Sequence, residues 1–409
     1  VSGIPHDYIP GRDYQVTVTT SQDTGVTYGF QLTAIDRAGR QAGNFVTPGG
    51  QAPKSQTITG LVNNNVRQYA EHTIDGVTPT QLGFNSWTFT WTAPATRVGK
   101  IDFYAAGNAA NGNGNTTGDY IYTTSRTSLT GTAVSNFASD AQSDIAVYRP
   151  SQGTWYTFDL ATSTVGVVGW GLATDKIVPG DYDGDGVTDL AVFRPSNGNW
   201  YIKLSSGPVQ ITNFGLPTDI PAAGDYDGDG KTDIAIYRPS TGTWWLNQSS
   251  AGVTAIRWGV AEDKPAQGDY DGDGKTDLAV FRPSTGIWYI ANSTGGSRSV
   301  GWGVSSDRLA QADYDGDGKT DIAVFRPSNG VWYRINSSDS QFVFTGWGSN
   351  GDIPAPGDYD GDGRSDVTVY RPSTGIWYSI RSSNGAFTIL NWGTTGDVPV
   401  AAGYLADSQ

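Results

Sequence analysis

The stretch Asp181-Tyr-Asp-Gly-Asp-Gly-Val-Thr-Asp189 returns at Asp225–Asp233, Asp269–Asp277, Asp313–Asp321 and Asp358–Asp366, in steps of 44, 44, 44 and 45 residues. A period of this length means one supersecondary unit per repeat, each burying its apolar faces on its neighbours. Within the stretch, carboxylates at positions 1, 3, 5 and 9 and glycines at 4 and 6 build an oxygen cage in a tightly turned backbone. A hard cation is held by several oxygens at about 2.3–2.6 Å, so the pattern points to Ca²⁺. One Asp-Gly cluster is often only a turn, but five copies that keep every Asp favour five cation sites. The candidate ligands are Asp181, Asp183, Asp185 and Asp189; Asp225, Asp227, Asp229 and Asp233; Asp269, Asp271, Asp273 and Asp277; Asp313, Asp315, Asp317 and Asp321; and Asp358, Asp360, Asp362 and Asp366.

These nine positions resemble the start of an EF-hand loop, but no Glu stands at position 12 and no helix follows. Each loop runs instead into a strand such as Asp233-Ile-Ala-Ile-Tyr-Arg-Pro239. An Arg-Pro-Ser unit recurs at Arg149, Arg194, Arg238, Arg282, Arg326 and Arg371. A Trp-Gly unit recurs at Trp170, Trp258, Trp302, Trp347 and Trp392, with Phe214 once in its place. Pro-Ser-Thr-Gly between aromatic strands is a four-residue hairpin loop with Gly where φ is positive. Four short strands per unit describe a propeller blade, and an inner strand apolar on both faces fits a blade packed between two others. The Trp-Tyr pairs are then filling between blades. Asn136–Asp144 aligns with the loops but keeps only Asp140 and Asp144, so no metal is expected there. Pro399–Tyr404 repeats only the opening strand of a unit and can close the ring on the first. The count is six blades, with seven as the alternative.

Composition bounds the rest. Only Glu71 and Glu262 are glutamates among 40 acidic residues. The loops hold twenty of the Asp, and five Ca²⁺ would bring the formal charge from −14 to −4. The acidity is thus mainly metal-site charge, and no basic stripe for nucleic acid is present. With no Cys, disulfides and thiol chemistry are excluded. No apolar run reaches membrane-spanning length. The chain starts at Val1 and contains no Met, as expected of a processed, exported protein. Millimolar external calcium would fill weak sites.

Residues 1–8 read as a free lead-in. Strand-like runs follow at Tyr14–Ser21, Tyr28–Asp36, Thr57–Val62, Arg67–Ile74, Ser86–Ala93, Lys100–Ala106 and Asp119–Ser125. Alternation in Trp87-Thr-Phe-Thr-Trp91 puts three aromatics on one face. Seven or eight strands in this span predict an all-β, two-sheet sandwich of jelly-roll or immunoglobulin-like type. Its residues resemble the reelin-type (Reeler) domain over roughly 8–124. The matching pieces are Tyr8-Ile-Pro-Gly-Arg-Asp-Tyr-Gln-Val-Thr-Val18, Gly29-Phe-Gln-Leu-Thr-Ala34, Ala42-Gly-Asn-Phe45, Trp87-Thr-Phe-Thr-Trp-Thr-Ala-Pro94 and Phe103–Gly114. That resemblance implies an extracellular adhesion or scaffold module with no catalytic residues. The repeats, over about 136–404, resemble the FG-GAP/VCBS family, whose integrin relatives are calcium-bearing propellers. That resemblance implies the Asp ligands above and adds the position-7 carbonyls of Val187, Lys231, Lys275, Lys319 and Arg364. The expected organisation is a sandwich at 1–125, a linker at 126–135 and a propeller at 136–409.

Catalytic signals are sparse. His6 lies in the lead-in, and His72 alternates with Ala70 and Ile74 as a packed or surface imidazole. Neither comes with a nucleophile motif, and the paired Asp are explained as metal ligands. Sequons stand at Asn115, Asn247, Asn292 and Asn336. The expectation is a non-enzymatic extracellular structural protein, a self-assembling surface or filament subunit that binds copies of itself. The alternatives are a monomeric adhesin or lectin-like module binding a glycan or protein, and, behind it, a polysaccharide-acting enzyme.

Overall fold

The computed structural model describes residues 1–4, 8, 11–36, 39–49, 54–79, 81, 83–95, 98, 101–113, 115, 117–128, 135–138, 140 and 142–401. The chain divides into two compact units, Val1–Gly131 and Thr132–Gln409. No described helix is long and apolar enough to cross a membrane.

The first unit is an antiparallel sandwich. Its strands are β1 (Asp13–Ser21), β2 (Thr27–Asp36), β3 (Asn44–Val46), β4 (Ser55–Val62), β5 (Asn65–His72), β6 (Phe84–Thr92), β7 (Ile101–Ala110) and β8 (Tyr120–Ser128). One sheet has the order β1-β6-β3 and the other β4-β5-β2-β7-β8. Alternation in β6 buries Trp87, Phe89 and Trp91 against the opposite sheet, with Phe30 at 4.7 Å from Trp87 and Phe103 at 4.8 Å from Trp91. Such aromatic contacts add to the burial of their area.

Four details differ from the sequence expectation. The strand expected to reach Ile74 ends at His72, because Thr73 caps a 3₁₀ turn, Ile74–Gly76, by accepting the Gly76 N–H. The short β3 has no alternation long enough to announce it. The lead-in is not free, since Ser2 and Thr17 exchange two backbone hydrogen bonds of 2.9 Å. Finally, β8 continues through Ser128, so 126–128 are strand, whereas 129–134 lie outside the described residues.

The second unit contains, among the described residues, six four-stranded antiparallel sheets. The first holds β9 (Ile145–Arg149), β10 (Thr154–Phe158) and β11 (Val165–Gly169), and is completed by Val398–Pro399 pairing with β9. The second is Lys176–Ile177, Leu190–Arg194, Asn199–Lys203 and Val209–Asn213, and this order repeats to Val398. Residues 402–404, the end of the expected closing strand, lie outside the described residues.

Neighbouring residues of the Trp-Tyr pairs face opposite ways and feed the two flanking cores. Trp200 packs with Ile234 and Ile236 of the next sheet, while Tyr201 packs with Ala146 and Tyr148 of the previous one. Six such cores join consecutive sheets, and the sixth joins Tyr370 and Trp377 of the last sheet to Ile145 and Val147 of the first. The indole of Trp392 donates to the Tyr156 carbonyl at 3.3 Å across the same junction.

Candidate metal centres

Each Asp loop follows the two-residue first strand of its sheet and precedes the apolar second strand. The backbone of the loop is wound around its first carboxylate. In Asp181–Asp189, Asp181 Oδ1 accepts the Gly184 N–H and Oδ2 the Gly186 N–H, both at 2.7 Å. Both glycines have positive φ, +79° and +83°, which a side chain would strain. The other four loops repeat these two bonds, with distances between 2.6 and 3.0 Å.

The ninth position ties the loop to its surroundings. Asp189 Oδ2 accepts from the Tyr182 N–H at 2.8 Å and Oδ1 from the Ser205 N–H at 2.6 Å, and all five loops share this pair of bonds. The fifth position accepts the N–H of the seventh, so Val187, Lys231, Lys275, Lys319 and Arg364 meet the loop carboxylates through their N–H groups.

Three carboxylates in each loop bring one oxygen apiece within 4.8 Å of one another. They are Asp181, Asp183 and Asp189; Asp225, Asp227 and Asp229; Asp269, Asp271 and Asp273; Asp313, Asp315 and Asp321; and Asp358, Asp360 and Asp362. Positions 1 and 3 are in every group, and the third member is either position 5 or position 9. Of the expected ligands, Asp185, Asp317, Asp233, Asp277 and Asp366 stand outside these groups. They brace the loop through the bonds just given.

The donor set fits a hard cation. The Oδ1 atoms of Asp183, Asp227, Asp271 and Asp360 are buried and accept no hydrogen bond. A buried carboxylate oxygen left unpaired is costly, and a cation is the partner that a ring of oxygens can accept. The crowding also shows in the titration. Burial first, helped by neighbouring Asp charges, pushes Asp189, Asp225 and Asp269 up to about 6, and Asp321 and Asp366 up to about 7.

Sequence reasoning missed a second layer. A hydroxyl pair on the hairpin between the third and fourth strands reaches over each loop. Ser205 Oγ donates to Asp185 and Ser206 Oγ to Asp183, both at 2.7 Å. Ser249 and Ser250, Ser293 and Thr294, Ser337 and Ser338, and Ser382 and Ser383 do the same for their loops. The available signal was their constant place 24 and 25 residues after the first Asp. The three C-terminal sequons end on members of these pairs, Ser249, Thr294 and Ser338.

In the degenerate loop both layers are reduced together. Asn136–Asp144 keeps the turn, with Asp144 Oδ2 accepting the Phe137 N–H at 2.6 Å and Asp140 Oδ1 the Gln142 N–H at 3.0 Å. It has Asn136 and Ala138 at positions 1 and 3, and its hairpin has Leu160 and Ala161 at the places of the hydroxyl pair.

The loops are also joined to one another. The position-8 N–H of each donates to the position-1 carbonyl of the loop before: Thr232 to Asp181, Thr276 to Asp225 and Thr320 to Asp269 at 2.6 Å, and Ser365 to Asp313 at 2.7 Å. Thr188 to Asn136 at 2.8 Å and Ser143 to Asp358 at 2.7 Å bring the degenerate loop into the same circuit.

Elsewhere, His72 Nδ1 lies 3.1 Å from both the Phe30 N and O, with its ring over Gly29, a packed imidazole. His6 lies outside the described residues.

FG-GAP repeats are found in this unit. Residues 181–236 and 313–369 match the FG-GAP-like repeat, and residues 219–254 and 264–299 match the FG-GAP repeat. No curated protein sequence matches the chain. Among solved structures, virginiamycin B lyase from Staphylococcus aureus is similar at 10% identity and a TM-score of 0.41, covering 60% of this chain and 80% of that one. An Agrocybe aegerita lectin that recognises non-reducing terminal N-acetylglucosamine is similar at 16% identity and 0.41, covering 60% and 74%. The human F-spondin reeler domain is similar at 19% identity and 0.20, covering 31% and 83%. Likenesses this partial carry nothing about activity or ligand.

Proposed function

We propose that the chain is a non-enzymatic extracellular adhesion or scaffold protein whose propeller is braced by five Ca²⁺ ions, one in each complete Asp loop. The observation that supports this best is the buried, unpartnered Oδ1 at position 3 of four loops, the atom a cation would take up. An all-oxygen donor set suits Ca²⁺, and FG-GAP repeats commonly bind it. The position-7 carbonyls of Val187, Lys231, Lys275, Lys319 and Arg364 complete the proposed ligand set. Such ions hold together loops that meet in one hydrogen-bonded circuit, and so stiffen the whole ring. An extracellular place, at a bacterial-type cell surface, is where such sites would stay filled. The expected organisation is the Reeler-like sandwich followed by a six-bladed ring. Calorimetry with and without chelator tests the reading. Each ion bound only by the folded state adds about 2.7 kcal/mol at a hundredfold excess over Kd. The propeller transition should fall strongly on chelation and the sandwich transition should stay in place; equal transitions in both conditions would overturn it.

The second reading is self-assembly into a homopolymer. It is favoured by apolar side chains on the open outer strands of two adjacent sheets, Phe342 and Phe344, then Phe387 and Ile389, each more than 60% exposed. Exposed apolar edges are where copies of a chain add to one another. Light scattering at micromolar protein with calcium checks it. Particles that F344S with F387S disperses would support assembly, and a stable wild-type monomer would leave the adhesin, binding a glycan or surface protein, in its place.

A further inference from the structure

We propose that the five loops are unequal, and that Arg334 makes Asp313–Asp321 the weakest cation site of the ring. This inference rests on reading the loops as calcium sites.

In the second, third and fourth sheets the third strand carries, two residues after its buried Trp, an apolar side chain that shares a core with the Tyr at loop position 2. Ile202 shares a core with Tyr182, Leu246 with Tyr226, and Ile290 with Tyr270. In the fifth sheet this place is taken by Arg334, whose Cζ lies 4.6 Å from the centroid of the Tyr314 ring. Tyr314 stands between Asp313 and Asp315 in the chain, and both belong to the oxygen group that would hold the ion. A unit positive charge therefore sits next to the cage. Arg334 Nε is buried and makes no hydrogen bond. Its charge acts through the protein interior, where screening is weak, on the Asp315 and Asp321 carboxylates. No other complete loop has a cation at this place: Arg364, which pairs with Asp362 at 3.1 Å, is 41% exposed, and Arg298 meets the Asp269–Asp277 loop only at the Tyr270 carbonyl, at 3.4 Å.

The carboxylates of this loop differ accordingly. In the other four loops the position-3 Oδ1 is buried without a partner. Here Asp315 Oδ1 accepts the Asp317 N–H at 3.2 Å. An incoming divalent ion meets a cage already partly neutralised, one of its oxygens already in use, and a like charge nearby. The Arg364 stem over Gly316 does not set this loop apart, because Lys231, Lys275 and Lys319 cover Gly184, Gly228 and Gly272 in the same way.

Calcium titration of the chelator-stripped full chain, by calorimetry and by competition with a chromophoric chelator, tests this. The wild type should show four sites of similar affinity and one at least about tenfold weaker. Arg334→Leu, which matches the apolar residue of the second, third and fourth sheets, and Arg334→Gln, which keeps the polarity without the charge, should both strengthen the weak site. Asp315→Asn should remove the weak site and leave the four tight ones. Five equivalent sites in the wild type would overturn the inference alone, as would a weak site that persists in both Arg334 variants or loss of a tight site in Asp315→Asn. No calcium uptake at any loop would overturn the calcium reading, and this inference with it.

Discussion

Arg238 shows how single residues are used to hold charge in this propeller. Its guanidinium forks onto Asp219 at 3.0 and 2.8 Å, and Asp219 is fully buried. Arg149 with Asp397, Arg194 with Asp175, Arg282 with Asp263, Arg326 with Asp307 and Arg371 with Asp352 are built alike. Each guanidinium also lies over the second aromatic of its Trp-Tyr or Trp-Trp pair, 4.2 to 5.3 Å from the ring centroid. Removing one partner of a buried pair leaves the other uncompensated, so Arg238→Ala should cost about 3–5 kcal/mol in urea denaturation. A loss below about 1 kcal/mol, the range of surface pairs, would contradict that role. The sequence made the arginines visible as a repeat marker. It hid their partners, because five of the Asp lie 19 residues upstream and Asp397 is 248 residues away from Arg149. The acidity of the chain therefore serves ion pairs as well as cages.

At the scale of elements, the loop and its hairpin act together. Ser249→Ala with Ser250→Ala removes the hydroxyls from Asp229 and Asp227, and at about 1 kcal/mol per bond should lower stability by about 2 kcal/mol. Thermal unfolding in calcium reads this, and an unchanged midpoint would count against the second layer. Protonation gives a further test. The loop carboxylates at about 6 to 7 lie above the ordinary unfolded value of about 3.9, so the metal-free fold binds more protons than the unfolded chain between these values. Stability in chelator should then fall as pH rises from 5 to 8. With calcium the slope should reverse, because protons compete for the ligands. Parallel pH profiles in the two conditions would contradict the cation reading. The carboxylate clusters were legible because their Asp residues are local in sequence and repeated. The hydroxyl pairs are brought in by the sheet, at a distance a motif does not span, and looked instead like sequons. In the sandwich, β3 is too short for periodicity, and Ser2 pairs through backbone atoms that carry no sequence signature.

For the whole molecule, closure of the ring joins residues near its two ends. Val398 and Pro399 pair with β9, the Val400 N–H donates to the Ala146 carbonyl at 2.8 Å, and Asp397 holds Arg149. Truncation after Gly396 would remove these contacts, bury Arg149 without a partner and open a sheet edge. Loss of several kcal/mol and aggregation are expected, and a truncated chain that melts like the full one would contradict closure. The repeat period and the half-unit at the C-terminus made this junction readable in advance. The circuit of bonds between loops was not readable, since it is made by backbone groups of residues 51 or 52 positions apart, and by Ser143 with Asp358. The central claim is that the five complete Asp loops are cation sites. Elemental analysis of the full chain, dialysed into millimolar calcium and freed of unbound ion, tests it most directly. The account predicts five calcium ions per chain, one per complete loop, and four in Asp271→Asn. Fewer than four in the wild type, or an unchanged count in that variant, would contradict it.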